Sequence, residues 1–188
     1  MPGAFPSLPE ADPTQTIRCD DELPGRGPGG VVPAYDPPWQ VSLSGAWPDF
    51  ARHLRDAQRS GPPGAYPDGD PLTRLTSATD RRRNGDRTCP QASSGGYPRP
   101  PGYSCDEYPF RSTHQGAYTQ SPPPQPAAPG RTFGWCQISA LGSGTGARGW
   151  SACMIPEGEN GSAGNGLRDF YNDNRVLEKD AFRVHIVN

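Results

Sequence analysis

The sequence predicts a small α+β domain behind a proline-rich leader, and three observations carry that prediction. Apolar residues recur at helical spacing in WPDFARHLRDAQRSG and ENGSAGNGLRDFYNDNR and alternate at strand spacing in AFRVHIVN. The 25 prolines crowd Met1 to Pro38, Pro62 to Pro71, Pro98 to Pro101 and Pro122 to Pro129. Phe133 to Asn188 has only Pro156, so a continuous core is expected late in the chain. At 188 residues the chain suits one ordinary domain plus an appendage. The boundary is placed at residue 80, with 1–80 a Pro/Gly-rich extension containing a short helix and 81–188 the compact domain.

Taken in order, residues 1–38 read as extended chain, because LPGRGPGG and YDPP supply turn residues and little to bury. A short apolar run, WQVSLSG, precedes the first helix. There Pro48 suits the first turn, Asp49 complements the dipole, and Phe50, His53, Leu54 and Ala57 form one stripe that Gly61 ends. PLTRLTSATDRRRNG is expected as a second helix, with Leu72, Leu75 and Ala78 on one side and Asn84-Gly85 as its stop. YSCDEYPF reads as a short strand entering a turn, and SPPPQPAAPG as a surface insert. FGWCQISAL and GWSACMIP are expected to pair as a hairpin across LGSGTGARG. That connector matches GxGxxG at Gly144, Gly146 and Gly149, but a dinucleotide site needs a helix directly after the glycines, and WSACMIP reads as strand. In the last helix Leu167, Phe170 and Tyr171 share a face, with Asn160 or Ser162 as the expected cap. The closing strand turns Phe182, Val184 and Ile186 inward.

The net charge of −2 is unevenly divided: six Arg against eleven acids in residues 1–80, twelve basic residues against nine acids in 81–188. A mildly basic domain suits a polyanionic ligand, although a solvated mixed surface gives the same balance. Five cysteines show no CxxC pair and the three histidines are scattered, which disfavours a structural zinc site. Cys89, Cys105, Cys136 and Cys153 read as up to two disulfides in an oxidising destination, with all three pairings open and Cys19 left over. No stretch of about 20 apolar residues is present, so no membrane span is expected. The opening MPGAFPSLPEADPTQ lacks the basic start and apolar run of a signal peptide, so either the chain is a mature or trimmed form with an added Met1 or export works another way; the cysteines favour the first, and the expectation is a secreted, extracellular protein.

Two clusters of oxygen ligands stand out. Asp106-Glu107 and Glu159-Asn160 flank the expected hairpin, and brought together they make the kind of site magnesium or manganese prefers, where water completes the coordination. Such an ion neutralises phosphate charge while a nearby carboxylate deprotonates water. The plain alternatives are a solvated acidic turn before Pro109 and a helix cap at Asn160. Arg81, Arg82 and Arg83 suit sequence-blind phosphate contacts or a charged helix end; Trp135 and Trp150 suit core positions.

The motif PGYSCDEYPF resembles the PGYDRDEWP motif of the NucA/NucB family of secreted bacterial deoxyribonucleases. It is still more similar to the family's actinobacterial branch, where a segment like STxQGA follows; here STHQGA spans Ser112 to Ala117. MIPEGENGSAGNGLRDFYNDNRVLEKDAFRVHI resembles the family's carboxyl half, and the likeness covers about residues 81–188. The resemblance implies a ββα-metal-like domain, a short antiparallel sheet with a packed helix, that hydrolyses DNA without sequence preference using Mg2+ or Mn2+. It implies Asp106 as general base or water-positioning residue and Glu107 as its neighbour, with Glu159 and Asn160 on the metal side. The division of the metal between Glu107 and Glu159 stays open. Arg111, His114 and Gln115, just past the motif, are candidate phosphate contacts, although a lone surface histidine is the commoner reading of His114. Two departures are visible. The Bacillus-type motif has an acid at the position of Ser104 and a basic residue at that of Cys105; and some related leaders have a cysteine near Gly30, which would explain an orphaned Cys19.

Two rivals remain at this level. One is a nuclease toxin domain of a larger secreted effector, which would have an inhibitor or immunity protein as partner. The other is a non-catalytic, disulfide-stapled binding module in which the acids are structural.

Overall fold

The structure, a computed structural model, describes residues 16–188; the stretch MPGAFPSLPEADPTQ, weighed above for export features, lies outside the described residues. Eight strands and three α-helices follow in the order β1 (Arg18–Asp20), β2 (Gly29–Val31), β3 (Pro38–Ser42), α1 (Pro48–Arg59), β4 (Leu72–Thr73), α2 (Ala78–Thr88), β5 (Tyr103–Tyr108), β6 (Gly130–Arg131), β7 (Trp150–Pro156), α3 (Glu157–Asp173) and β8 (Ala181–Val187). The fold class is α+β. No described helix is long and apolar enough to cross a membrane.

Two three-stranded sheets carry the core, ordered β3-β8-β4 and β5-β7-β6. In the first, β8 is central: β3 runs parallel to it with Trp39 opposite Val184, and β4 runs antiparallel with Leu72 opposite Phe182. The alternation expected for the last strand holds, since Phe182 and Val184 are fully buried. In the second sheet β7 is central, antiparallel to β5 and parallel to the short β6. Helix α1 buries Phe50, Ala51, His53, Leu54 and Ala57, the expected stripe. It meets α3 through Ala163, Leu167, Phe170 and Tyr171 in one apolar cluster with Trp39, Val41 and Phe182. Residues before 81 thus share that core. A second cluster gathers Cys89, Cys105, Trp150, Ala152 and Met154 on the other side of β7.

Three expectations are corrected. The hairpin of FGWCQISAL and GWSACMIP does not form: β7 pairs with β5, and FGWCQISAL is mostly turn, anchored by the Cys136–Cys153 disulfide. The linking glycines instead dock on the C-terminal end of α1, where Gly146 N donates to Ser60 O (2.7 Å) and the buried Arg131 guanidinium donates to Ser60 O (2.8 Å) and Arg148 O (2.7 Å). The second helix starts at Ala78, with Ser77 as its cap, because Leu72 is taken into β4. Asn84-Gly85 does not stop it. Asn84 is fully buried, donates to Arg111 O and Thr113 O and accepts from Tyr118 N and Thr119 N, so it holds the 111–119 segment. Gly85 leaves room for the Arg111 guanidinium, which any side chain there would strike. Nor does Asn160 or Ser162 cap α3; Pro156 stands at that position.

The ribbon β1-β2 docks on the turn between α3 and β8. Arg18 grips Asp180 at 2.5 Å, and Arg175 pairs with Asp20. Cys19 is exposed and unpaired, and it lies directly across the ladder from Gly30.

Candidate active site

Strand β5 carries the acidic pair, opposite Cys153 and Ala152 of β7. It is fixed at both ends. Cys105 is bonded to Cys89 at the end of α2, and buried Tyr108 donates its hydroxyl proton to Pro63 O at 2.7 Å; burial pushes that hydroxyl's pKa well above its ordinary range. Because β5 pairs on only one side, its other edge is free, and residues of both its faces reach a cleft of about 350 Å³. Asp106, Glu107, Arg111, Asn160, Arg74 and Arg81 line it.

Asp106 is 4 % exposed, and its Oδ2 lies 2.6 Å from Nδ1 of His53. His53 is fully buried, and its Nε2 lies 2.9 Å from the hydroxyl of Ser151 on β7. Nδ1–H donating to the carboxylate satisfies the first contact, and the second is shared with a Ser151 hydroxyl that also lies 3.4 Å from Tyr108 O. Oδ1 of Asp106 accepts no hydrogen bond among the described residues. Sequence reasoning counted His53 only as part of a buried stripe. The available signal was its chemistry: an ionisable group on a core-facing stripe requires a polar partner, and none is adjacent in sequence.

Three residues of the first turn of α3 tie the helix to its surroundings. Glu157 N donates to Gly102 O (2.9 Å). The Asn160 amide donates to Ser104 Oγ (2.9 Å) and Cys105 O (3.1 Å), so its Oδ1 is the atom it offers to a ligand. This gives Ser104, where the Bacillus-type motif has an acid, a definite job. Glu159 points elsewhere: its Oε2 accepts from the backbone N–H groups of Asp49 (2.9 Å) and Phe50 (3.4 Å) and so caps α1, which has no cap of its own. Glu159 does not line the cleft.

The side chain of Glu107 is 15 % exposed and pairs with Arg111 at 3.1 Å. Burial raises the pKa of its carboxyl, opposed by the charge of Arg111 and reinforced by that of Asp106. Of the candidate phosphate contacts, Arg111 alone lines the cleft. His114 pairs with Glu178 at 2.8 Å and Gln115 is bonded to Thr73 N and Oγ1. Trp150 is core, as expected, whereas Trp135 is partly buried, donates to Asp56 and lies under the Arg52 guanidinium.

Among the described residues no group of three or more His, Cys, Asp and Glu side chains is arranged to hold a metal ion. The cleft's donors are two carboxylates and one amide oxygen. No curated protein and no solved structure matches the chain. The family model described as Deoxyribonuclease NucA/NucB does match, over residues 68–185, a span that includes Asp106, Glu107 and Asn160 but not His53. With more than half its length matched, this chain belongs to the NucA/NucB deoxyribonuclease family.

Proposed function

We propose that the chain is a secreted, metal-assisted endodeoxyribonuclease that cleaves DNA backbone phosphodiesters without sequence preference, with Asp106 as its general base. The observation that carries this reading is Asp106 itself: a carboxylate with one oxygen held by a buried histidine, on a residue that lines a cleft together with Glu107 and Asn160. Family membership supports the substrate, and the two disulfides suit an oxidising destination.

Asp106 takes a proton from a water whose oxygen bonds to phosphorus as the bond from phosphorus to the departing sugar oxygen breaks, leaving a phosphomonoester and a sugar alkoxide that takes its proton from solvent. His53 fixes the direction in which that carboxylate faces. The oxygen donors fit a hard cation, because magnesium and manganese need only one or two protein ligands and keep several waters. Asn160 Oδ1 and the Glu107 carboxylate would hold it, and Glu159 contributes by keeping α1, and so His53, in place. When bound, Mg2+ or Mn2+ supplies charge neutralisation at the phosphate. The charge of Arg111 opposes the upward shift that burial gives the Glu107 carboxyl.

The test is supercoiled plasmid incubated with the oxidised protein and Mg2+ or Mn2+, beside EDTA and Asp106→Asn controls. Nicking that requires both the metal and Asp106 is expected. Intact plasmid under both metals, from folded protein, overturns the reading.

A further inference from the structure

The arginines at the far end of the cleft are the only ones there without a carboxylate. Arg111 is paired with Glu107 and Arg168 with Asp169, whereas Arg74 and Arg81 take part in no ion pair among the described residues. Their Nε atoms are buried without a hydrogen-bond partner. The Arg74 guanidinium carbon lies 3.6 Å from the centre of the Tyr171 ring, which fixes its plane; the Tyr171 hydroxyl is held in turn by Ser112 at 3.0 Å. Burial lowers the pKa of Arg74 and the like charge of Arg81 adds to this, opposed by Tyr171 and by Glu178, a carboxylate already engaged by His114 and Thr76. Two neighbouring cations with buried, unsatisfied donors are costly unless an anion completes them.

We propose that Arg74 and Arg81 form a seat for a second backbone phosphate of the bound nucleic-acid strand, distinct from the phosphate attacked beside Asp106. Planar guanidinium donors match phosphate oxygens in pairs, and the seat opens into the same cleft as Asp106. Separation makes it a different phosphate. Asn160 and Tyr171 stand eleven residues apart on α3, roughly 16 Å along the axis, so the elements that position the seat lie about three helical turns from those that position the Asn160 end of the cleft. The seat therefore grips the strand in the ground state and leaves the chemical step to the other end. Only the identity of the ligand as nucleic acid rests on the nuclease reading; the anion site stands without it.

Two measurements on the whole, oxidised chain test this. First, inorganic phosphate is titrated into metal-free protein while the arginine Nε–H signals are followed by 15N-edited NMR, with Arg74→Lys and Arg81→Gln as assignments. Saturable shifts of these two signals, sparing exposed Arg26, are expected; signals that stay still overturn the seat. Second, nuclease kinetics are compared. Each variant should raise KM about tenfold or more with kcat within twofold, and the charge-removing Arg81→Gln should lower the salt dependence of oligonucleotide binding by about one phosphate contact, whereas Arg74→Lys keeps its charge and leaves that dependence unchanged. Unchanged KM in folded Arg81→Gln, which lies on α2 outside the core, overturns the proposal even if Arg74→Lys fails to fold. Phosphate-induced shifts in a protein that cuts no nucleic acid would keep the seat and reject the nuclease.

Discussion

Replacing His53 separates its contact with Asp106 from its contact with Ser151. His53→Ala is a blunt tool. The side chain is fully buried with two hydrogen bonds, so truncation opens a cavity and strands a buried carboxylate, together costing roughly 3–5 kcal/mol. That is a large share of a typical stability of about 5–15 kcal/mol. Amide substitutions are sharper. Asparagine places its Nδ2 where His53 Nδ1 sits and keeps the donor to Asp106 while losing Ser151; glutamine reaches the Ser151 side and loses the donor to Asp106. Each gives up one hydrogen bond, about 1 kcal/mol for the neutral contact and about 1.5–3 kcal/mol for the charged one. If His53 works by aiming Asp106, His53→Asn should keep kcat within about tenfold, whereas His53→Gln should lose about a hundredfold, the usual effect of a misplacement near 1 Å. The assay is initial-rate cleavage of a fluorogenic oligonucleotide at 25 °C, with Tm measured by calorimetry to ensure that each variant is folded. Equal activity of the two folded variants, or wild-type activity in His53→Gln, refutes the reasoning.

Three further outcomes are expected. A β-carbon at position 30 would lie 3.6 Å from Cys19 Sγ, so Gly30→Cys should form a disulfide, removing the free thiol from a maleimide assay and stabilising by about 2–3 kcal/mol. In α3, Gly161→Ala meets open space and should raise stability by about 0.5–1 kcal/mol, whereas Gly166→Ala drives its methyl into Trp47 and should lower Tm. For Glu107, whose folded pKa is raised, the stabilising contribution is full below the ordinary glutamate value and is lost as pH rises through the folded one. Metal-free protein should therefore lose stability across that window, and denaturant titrations of Glu107→Gln should show that loss removed.

What was legible in the sequence was local. The stripe of α1, the acidic strand and the alternation of β8 follow from periodicity, and the rejection of the glycine fingerprint held because WSACMIP is strand. What failed was long-range. Nothing near Trp150 announces that its strand pairs with Tyr103–Tyr108 rather than with the nearer FGWCQISAL, since both offer apolar residues and the choice is made by β5 and the disulfides. Asn84-Gly85 has the composition of a helix stop, yet a buried asparagine with four backbone partners from the 111–119 segment outweighs local preference. At the site the motif itself was readable, but the groups that complete it were not. His53 is 53 residues from Asp106, and Arg74 is recognisable only by the absence of a partner.

The neighbours Glu159 and Asn160 have a consequence for how the cleft moves. One fastens α3 to the start of α1, the other fastens it to β5, and Glu157 adds a backbone tie to Gly102. The helix, the base-bearing strand and the histidine-bearing helix are therefore riveted at one corner and move as a block. The opposite jaw is built separately: Asn84 holds the 111–119 segment through four backbone partners, and Arg74 is stacked on Tyr171. The placement of Asp106 relative to Asn160 is thus set by ties in which the arginines of the cleft take no part.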